Sequence, residues 1–293
     1  MVEELRGKVK ELLKNKQVDG VIGYKRASDG VSAMPAFIDK EEDVEILIWD
    51  AYCVYNLSNY LKDFPGKKIG IVAKGCDVKS IIVLLQENQI RRQDLFIIGV
   101  ECHGVIDEKK LNLGRGSQEV IGFAQKCRIC KPSVPPIYDI LITQKEKEWV
   151  ETSEEDPYES VKKLEAKSLP ERFKFWLEEF GRCIRCYACR QICPLCYCPT
   201  CVADQTQPSW FSKATNLEGN FSWNVTRALH LAGRCIDCGE CERACPVGIP
   251  LREINKKIEK DVKELFNYEA GNTIEQKPLF SCFSEKDPED WIR

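Results

Sequence analysis

The sequence contains very little histidine and no apolar run long enough to cross a membrane. Its 293 residues include two histidines, His103 and His230, so zinc sites that mix cysteine with histidine are poorly supplied with ligands. The longest apolar stretches, residues 81–85 and 95–100, fall far short of the roughly 18 to 20 residues that span a bilayer. We therefore expect no membrane-spanning segment and no histidine-rich metal site.

Charge and the amino-terminal segment exclude further classes of protein. The net charge is −3, and no stripe of one sign stands out, which argues against a nucleic-acid binder. The first 16 residues are charged throughout and lack the apolar core of a signal peptide. We expect a cytoplasmic protein. Its 17 cysteines then stay reduced, and dense cysteine in a reducing compartment indicates metal or redox chemistry.

Residues 1–145 have the pattern of an α/β domain. Helical spacing of apolar residues covers 3–14 and 77–89, and short apolar runs that indicate strands cover 18–24, 44–50, 67–75 and 94–102. The order strand, turn, helix, strand is typical of a parallel sheet. The predicted fold class is therefore α/β with a small, mostly parallel sheet, followed by an α-helical domain.

The second part of the chain has a different organisation. Residues 146–170 are charged and carry two prolines, which indicates a connector, and residues 270–293 form a tail with little pattern. Between them, residues 171–269 contain predicted helices and two cysteine-rich blocks. We expect this region to be the α-helical domain.

The two cysteine-rich blocks repeat one motif. Each reads C-x2-C-x2-C-x3-C-P, the spacing of bacterial ferredoxins in which the fourth cysteine binds the other 4Fe-4S cluster. Three closely spaced thiolates cover three corners of a cubane, and the fourth points away along the next helix. The predicted ligands of cluster 1 are Cys183, Cys186, Cys189 and Cys245, and those of cluster 2 are Cys235, Cys238, Cys241 and Cys193.

A second group of cysteines lies in the α/β half. Cys76 and Cys102 each end a predicted strand, and Cys127 and Cys130 form a C-x2-C pair. Because the ends of neighbouring parallel strands meet at one edge of a sheet, these four thiols are expected to converge and to hold a third 4Fe-4S cluster. The alternatives are inert buried cysteines, a redox dithiol or half of a zinc site.

Three more thiols follow the first motif as C-x-C-x2-C. Cys196, Cys198 and Cys201 are one short of a cubane, so a fourth ligand would come from Cys282, Cys53 or a partner chain. We expect them to shield the neighbouring cluster or to bind a structural metal, and the alternative is a further cluster. Cys53 on its own is expected to be a packing residue.

The α/β half resembles the beta subunits of hydrogenases and formate dehydrogenases that use the deazaflavin coenzyme F-420. The resemblance covers roughly residues 1–145 and rests on segments such as KKIGIVAKGCD, IIGVECHG and CRICKPSVPPIYDILI, in which Cys76, Cys102, Cys127, Cys130 and Asp139 match in order. The carboxyl-terminal half is similar to helical dicluster ferredoxins of heterodisulfide-reductase-type complexes. The resemblance implies a redox complex with other subunits as partners.

Two departures from that family bear on flavin binding. The Gly- and Thr-rich loop that opens the family reads MVEELRGK here, and the usual Gly-x-Pro-Cys turn is replaced by Ala73-Lys74-Gly75-Cys76. The chain is also short for the family, so we expect no bound FAD.

The sequence leaves three function classes. The first is a non-catalytic electron-transfer subunit that relays single electrons between a catalytic partner and an acceptor, and it is the one we expect. The second is a flavin-dependent subunit that reduces the deazaflavin coenzyme or a similar hydride carrier. The third is a zinc-stabilised scaffold.

Overall fold

A computed structural model of the chain describes four segments, residues 1–109, 122–130, 133–143 and 156–281. The chain divides into two compact units. The first unit is Met1–Glu154 together with Gly271–Gln276, and the second is Glu155–Ala270 together with Lys277–Arg293. Part of the predicted tail, Gly271–Gln276, thus belongs with the α/β unit.

The first unit is built on a five-stranded sheet in the order β2-β1-β3-β4-β5. The strands are β1 (Gly20–Arg26), β2 (Ala33–Ile38), β3 (Ile69–Ala73), β4 (Leu95–Val100) and β5 (Ile140–Ile142). Only β2 runs antiparallel to its neighbour, and the other pairs are parallel. Together with the helical second unit, this confirms the predicted fold class.

Helices cover both faces of this sheet. On one face, helix α1 (Val2–Lys14) packs Leu5, Val9 and Leu12 into a core shared with Val72 of β3. On the other face, helix α2 (Gly75–Gln86) contributes Val78, Ile81 and Ile82 to a second core. All five residues of β3 are buried, as expected for a parallel strand covered on both sides.

Two expectations about the first unit were wrong, and both concern the edge of the sheet. The run predicted as a strand over 44–50 contains instead a 3-10 helix, Glu41–Ile46, whose Val44 is buried against the α1 face. The position beside β1 is taken by β2, which the sequence analysis missed because Pro35 lies within it. Proline is tolerated at a sheet edge because no ladder hydrogen bond is lost there.

A buried ion pair fixes the turn between β3 and α2. The Lys74 side chain is 2% exposed, and its Nζ lies 3.0 Å from Asp77 Oδ2 and 2.6 Å from the Tyr24 hydroxyl. Asp77 also accepts hydrogen bonds from the backbone amides of Lys74 and Leu57. Burial alone would lower the pKa of Lys74, but the Asp77 carboxylate holds it above its ordinary value, so the amine stays charged.

The second unit is helical. Its helices are α4 (Glu159–Glu165), α5 (Leu169–Gly181), α6 (Ala188–Gln191), α7 (Leu217–His230), α8 (Glu240–Arg243) and α9 (Leu251–Phe266), numbered after the short α3 (Gln125–Arg128) of the first unit. Helix α5 begins with a capping box, in which Glu171 accepts from both the backbone amide and the hydroxyl of Ser168. In the described parts of the chain, no helix is long and apolar enough to cross a membrane.

Replacing Lys74 by methionine would leave the Asp77 carboxylate buried without its cation. Breaking a buried pair in this way costs about 3–5 kcal/mol, so amide exchange of β3 in the full chain should accelerate roughly 100-fold or more. Native-state hydrogen exchange read by mass spectrometry measures this. The control is Arg92→Met, because the Arg92–Asp139 pair is partly exposed and should contribute about 0–1 kcal/mol. Equal effects of the two variants would contradict the role given to Lys74.

Candidate metal centres

The two cysteine motifs of the second unit share an unusual backbone conformation. In the first motif Arg185 and Tyr187 have φ values of 55° and 59°, and in the second Asp237 and Gly239 have values of 56° and 70°. These positions are equivalent in the repeat, and positive φ is uncommon for residues other than glycine. The backbone therefore adopts the left-handed conformation twice between the first and third cysteine of each motif. The internal repeat is therefore one of local structure as well as of spacing.

The third cysteine of each motif lies on a short helix in a common core. Cys189 belongs to α6 and Cys241 to α8. Both are buried in one cluster with Cys245, Phe180 and Ile249. Residues of the two motifs thus pack together, although about 40 residues separate them along the chain.

A pocket in the second unit is lined by thiols from both motifs. Cys183, Cys186 and Cys189 of the first motif line it together with Cys245 of the second. These are the four ligands that the sequence predicts for cluster 1. Much of the remaining wall is apolar, with Trp223, Ile249 and Leu251 among its residues.

Three of the four predicted ligands of cluster 2 influence one another electrostatically. The pKa of the Cys241 thiol is raised to about 11, chiefly by burial, with a smaller increase from Cys193 of the first motif and a lowering by Arg227. Burial likewise raises the pKa of Cys235, and Cys241 adds to that shift. Cys193 and Cys235 therefore both lie within electrostatic range of Cys241. Cys238 is partly buried in the same loop.

The donor set suits an iron–sulfur cluster better than a single metal ion. Zn–S bonds of about 2.3 Å would place the four sulfurs about 4 Å apart. Within the part of the chain that the structure describes, no three His, Cys, Asp or Glu side chains are arranged to hold one ion. Every described cysteine is a free thiol. A four-iron cubane separates its thiolate ligands more widely, so thiols around a shared pocket fit that group.

A buried charge network holds the loop of the second motif. Asp237, between Cys235 and Cys238, accepts two hydrogen bonds from Arg252 of α9, at 2.6 and 2.7 Å. Its Oδ2 also lies 3.0 Å from Lys256 Nζ. Burial alone would raise the pKa of Asp237, but Arg252 and Lys256 lower it below its ordinary value. The loop is thereby tied to the longest helix of the unit.

Four of the five cysteines of the first unit, all except Cys53, are associated with the carboxyl edge of the sheet. Cys76 lies in the first turn of α2, directly after β3, and Cys102 follows β4. The pKa of both thiols is raised, that of Cys102 to about 12, chiefly by burial and in smaller part by Cys130. Cys127 also acts on Cys102, and its Sγ accepts from the Val105 amide at 3.4 Å.

Lys74 is a buried cation beside these thiols. It lowers the pKa of both Cys76 and Cys102, against the larger effect of burial. Asp139, which matches the family, accepts from the Ile97 amide of β4 and pairs with Arg92. It therefore orders the sheet edge.

The three additional thiols of the opening motif lie in different surroundings. Cys196 is hydrogen-bonded to Cys193, which lowers the pKa of Cys196. Cys201 lies beside Arg190, and Cys198 is exposed. Cys282 lies outside the described residues. The metal site predicted for these thiols remains a prediction, and Cys53 is fully buried in the sheet core, as a packing residue would be.

Sequence reasoning missed the charged residues that surround the thiols. Lys74, Asp237 and Arg227 were not singled out, although Lys74 and Arg227 are buried, Asp237 is partly buried, and all three act on cysteines. One signal was present for Lys74, because it interrupts the apolar run IGIVA just before Cys76. For Arg227 the signal was a polar stripe on α7, with Asn224 one turn and Asn220 two turns earlier.

Comparison with known families identifies the second unit. A family model described as a 4Fe-4S dicluster domain matches residues 182–250. The match covers both motifs, from Cys183 to Cys245. The chain therefore contains a 4Fe-4S dicluster domain, and the iron–sulfur character predicted from the cysteine spacing is confirmed.

Two curated relatives are similar to nearly the whole chain. The F420-dependent formate dehydrogenase subunit beta of Methanocaldococcus jannaschii is 25% identical, with 93% of this chain and 92% of the relative covered. The F420-dependent formate dehydrogenase 1 subunit beta of Methanococcus maripaludis is 24% identical with the same coverage. The predicted resemblance to such beta subunits is confirmed.

The alignment also shows a difference in length. It runs over 355 positions, whereas this chain has 293 residues, so the Methanocaldococcus protein has at least 62 residues at internal positions where this chain has none. The relatives thus contain internal segments that are absent here.

Serine at position 245 tests the exchange of ligands between the motifs. If Cys245 completes the first set of thiols, Cys245→Ser should change the same electron paramagnetic resonance signal of the reduced protein as Cys186→Ser. Cys238→Ser should change the other signal. Cys198→Ser is the control and should preserve both signals, because Cys198 is exposed. A shared effect of Cys245→Ser and Cys238→Ser would show instead that each motif uses its own fourth cysteine.

Asparagine at position 237 tests the charge network, since it keeps the shape and tolerates positive φ. Asp237→Asn leaves Arg252 and Lys256 without the carboxylate that orders the loop. Iron held by the second motif should be lost to a chelator at least about tenfold faster, equivalent to about 1.4 kcal/mol. Absorbance decay under anaerobic conditions measures the rate. Asp204→Asn, which removes a more exposed partner of Arg190, should leave it unchanged, and equal rates for both variants would refute the network's role.

Proposed function

We propose that this chain is an iron–sulfur electron-transfer subunit of a formate dehydrogenase-type complex. It relays single electrons between a catalytic subunit and an acceptor. The observation that carries the proposal is the pocket in which three cysteines of one motif meet the fourth cysteine of the other. This exchange of ligands is the arrangement that two-cluster ferredoxins use.

The protein's own residues hold, shield and tune these centres. A 4Fe-4S cluster supplies the capacity to accept and return one electron. The thiols of Cys183, Cys186, Cys189 and Cys245 would bind one cluster, while Trp223 and Ile249 limit the access of water to it. Hydrogen bonds, charge and burial around the sulfurs set the potential.

A third cluster in the first unit would extend the relay. Its ligands are Cys76, Cys102, Cys127 and Cys130, which meet at the carboxyl edge of the sheet, where open α/β sheets bind their ligands. The Lys74 amine offsets part of the negative charge that thiolates would bring there. An inert role for these cysteines fits less well, because four thiols and a buried cation are gathered in one place.

The names of the two relatives indicate that this chain belongs to a complex of several subunits. Both are beta subunits of formate dehydrogenases, so we infer that this chain also works with other redox subunits. A relay requires a donor and an acceptor. Formate dehydrogenase is the catalytic partner favoured by the relatives.

A second candidate function is a flavin-dependent reduction of the deazaflavin coenzyme. It is favoured by the names of the relatives, which are F420-dependent. Against it stands the absence of at least 62 internal residues that the Methanocaldococcus protein has, along with the lost glycine-rich opening. We infer that this chain keeps the iron–sulfur electron relay of such subunits and lacks the flavin.

Anaerobic purification of the chain at native abundance tests the proposal. We expect about twelve irons and about twelve acid-labile sulfides per chain, no flavin, and co-purification with a catalytic subunit. Mass spectrometry of the co-purifying chains, metal analysis and the flavin spectrum provide the three readouts.

The alternatives give different results in the same preparation. Stoichiometric flavin would favour the second candidate function, and zinc without sulfide would establish a structural scaffold. About sixteen irons would keep the relay and assign a further cluster to Cys196, Cys198 and Cys201.

A further inference from the structure

Helix α7 places a polar stripe in the interior of the second unit. Asn220, Asn224 and Arg227 are each buried, Arg227 to 4% exposure. Their spacing of four and three residues puts them on one face of the helix. A charged side chain is rarely buried without a partner, so the position of Arg227 requires an explanation.

The stripe is directed at the loops that carry the cysteines. The Asn220 side-chain amide donates to the Cys183 carbonyl at 2.7 Å. Arg227 Nη2 donates to the Cys189 carbonyl at 2.9 Å. The Arg227 Nε is buried and has no hydrogen-bond partner, although buried donors are almost always satisfied. It is a donor available to a sulfur-containing group.

Arg227 interacts with thiols of both motifs. Burial alone would lower its pKa, but Cys241, Cys193, Cys196 and Cys189 raise it. Cys189 belongs to the first predicted set of ligands, whereas Cys241 and Cys193 belong to the second. Among the side chains that raise the pKa of this guanidinium, these four thiols have the largest effects, and Cys189 and Cys241 lie in one buried cluster.

We propose that Arg227 is a positioning residue that raises the reduction potentials of both clusters of the dicluster domain together. This inference rests on the proposed electron-transfer function. When a cluster accepts one electron from a donor, it gains one negative charge, and no proton or other reactant is needed. A fixed positive charge nearby favours that reduced state, and burial weakens the screening by solvent and salt.

The shared position has a consequence for the relay. Because one guanidinium acts on thiols of both sets, it shifts both potentials in the same direction. The driving force from a donor to the pair of clusters therefore rises, while the difference between the two clusters changes little. The helix that carries Arg227 lies between the two motifs in the sequence, so this segment contributes the shared charge.

A purely structural role is the competing explanation. Arg227 also supports the Cys189 backbone, and its loss could act only through the shape of the loop. Two substitutions separate these roles. Arg227→Gln removes the charge but keeps a hydrogen-bond donor, and Arg227→Lys keeps the charge but removes the guanidinium shape.

The experiment is a redox titration followed by electron paramagnetic resonance. In Arg227→Gln, the ratio of reduced to oxidised cluster at a fixed potential should fall at least tenfold for both clusters, a shift of about 59 mV for one electron. Arg227→Lys should stay within threefold of the unsubstituted protein. The matched control is Arg190→Gln, which also should stay within threefold because Asp204 already neutralises that arginine. A change below threefold in Arg227→Gln, or an equal change in Arg227→Lys, would overturn the proposal.

Iron and sulfide content distinguishes the failure of this proposal from failure of the proposed function. Unsubstituted protein without iron and sulfide would refute the relay itself, whereas loaded protein with unshifted potentials in Arg227→Gln would refute only the role of Arg227. If Arg227→Gln does not assemble clusters, the proposal is tested on reduced, unsubstituted protein labelled with ¹⁵N-arginine. The quantity measured is the magnetic coupling between the arginine nitrogen and the clusters. A nitrogen coupling to the clusters that disappears in Arg227→Lys supports the proposal, and an unchanged coupling overturns it.

Discussion

The placing of thiols in the protein interior is the constraint on which both units depend. A buried thiolate is unfavourable unless a cation or hydrogen bonds stabilise it, and burial raises the pKa of Cys76, Cys102, Cys189 and Cys241. In each unit a buried cation stabilises the thiolate form, namely Lys74 in the α/β unit and Arg227 in the helical unit. Both cations lower the pKa of the thiols next to them. The fold around the cysteines is therefore an electrostatic arrangement as much as a packing arrangement.

The two units reach this arrangement by different routes. In the first, the ends of parallel strands bring distant cysteines to one edge of a sheet, and the Lys74–Asp77 pair fixes the turn that carries Cys76. In the second, a repeated loop with positive φ values presents three cysteines, and the packing of α6 and α8 brings the fourth from the other motif. In each unit the result is a group of thiols with a positive charge beside it. This arrangement suits one-electron transfer.

The sequence predicted the elements whose signal is local. The spacing of the cysteines indicated a dicluster domain, and the apolar runs of β3 and β4 indicated a parallel sheet. The strand predicted over 44–50 was wrong because a short apolar run is equally compatible with a buried 3-10 turn, and β2 was missed because of Pro35. Arg227 and Lys74 could not be assigned, since the burial of a cation beside thiols depends on contacts between residues far apart in the chain.

Anomalous diffraction at the iron edge, from crystals grown anaerobically, tests the central claim most directly. The account predicts iron among Cys183, Cys186, Cys189 and Cys245, and again among Cys235, Cys238, Cys241 and Cys193, with Arg227 between the two sites. It also predicts iron among Cys76, Cys102, Cys127 and Cys130. Iron bound within each motif by its own four cysteines, or zinc in place of iron, would contradict the account.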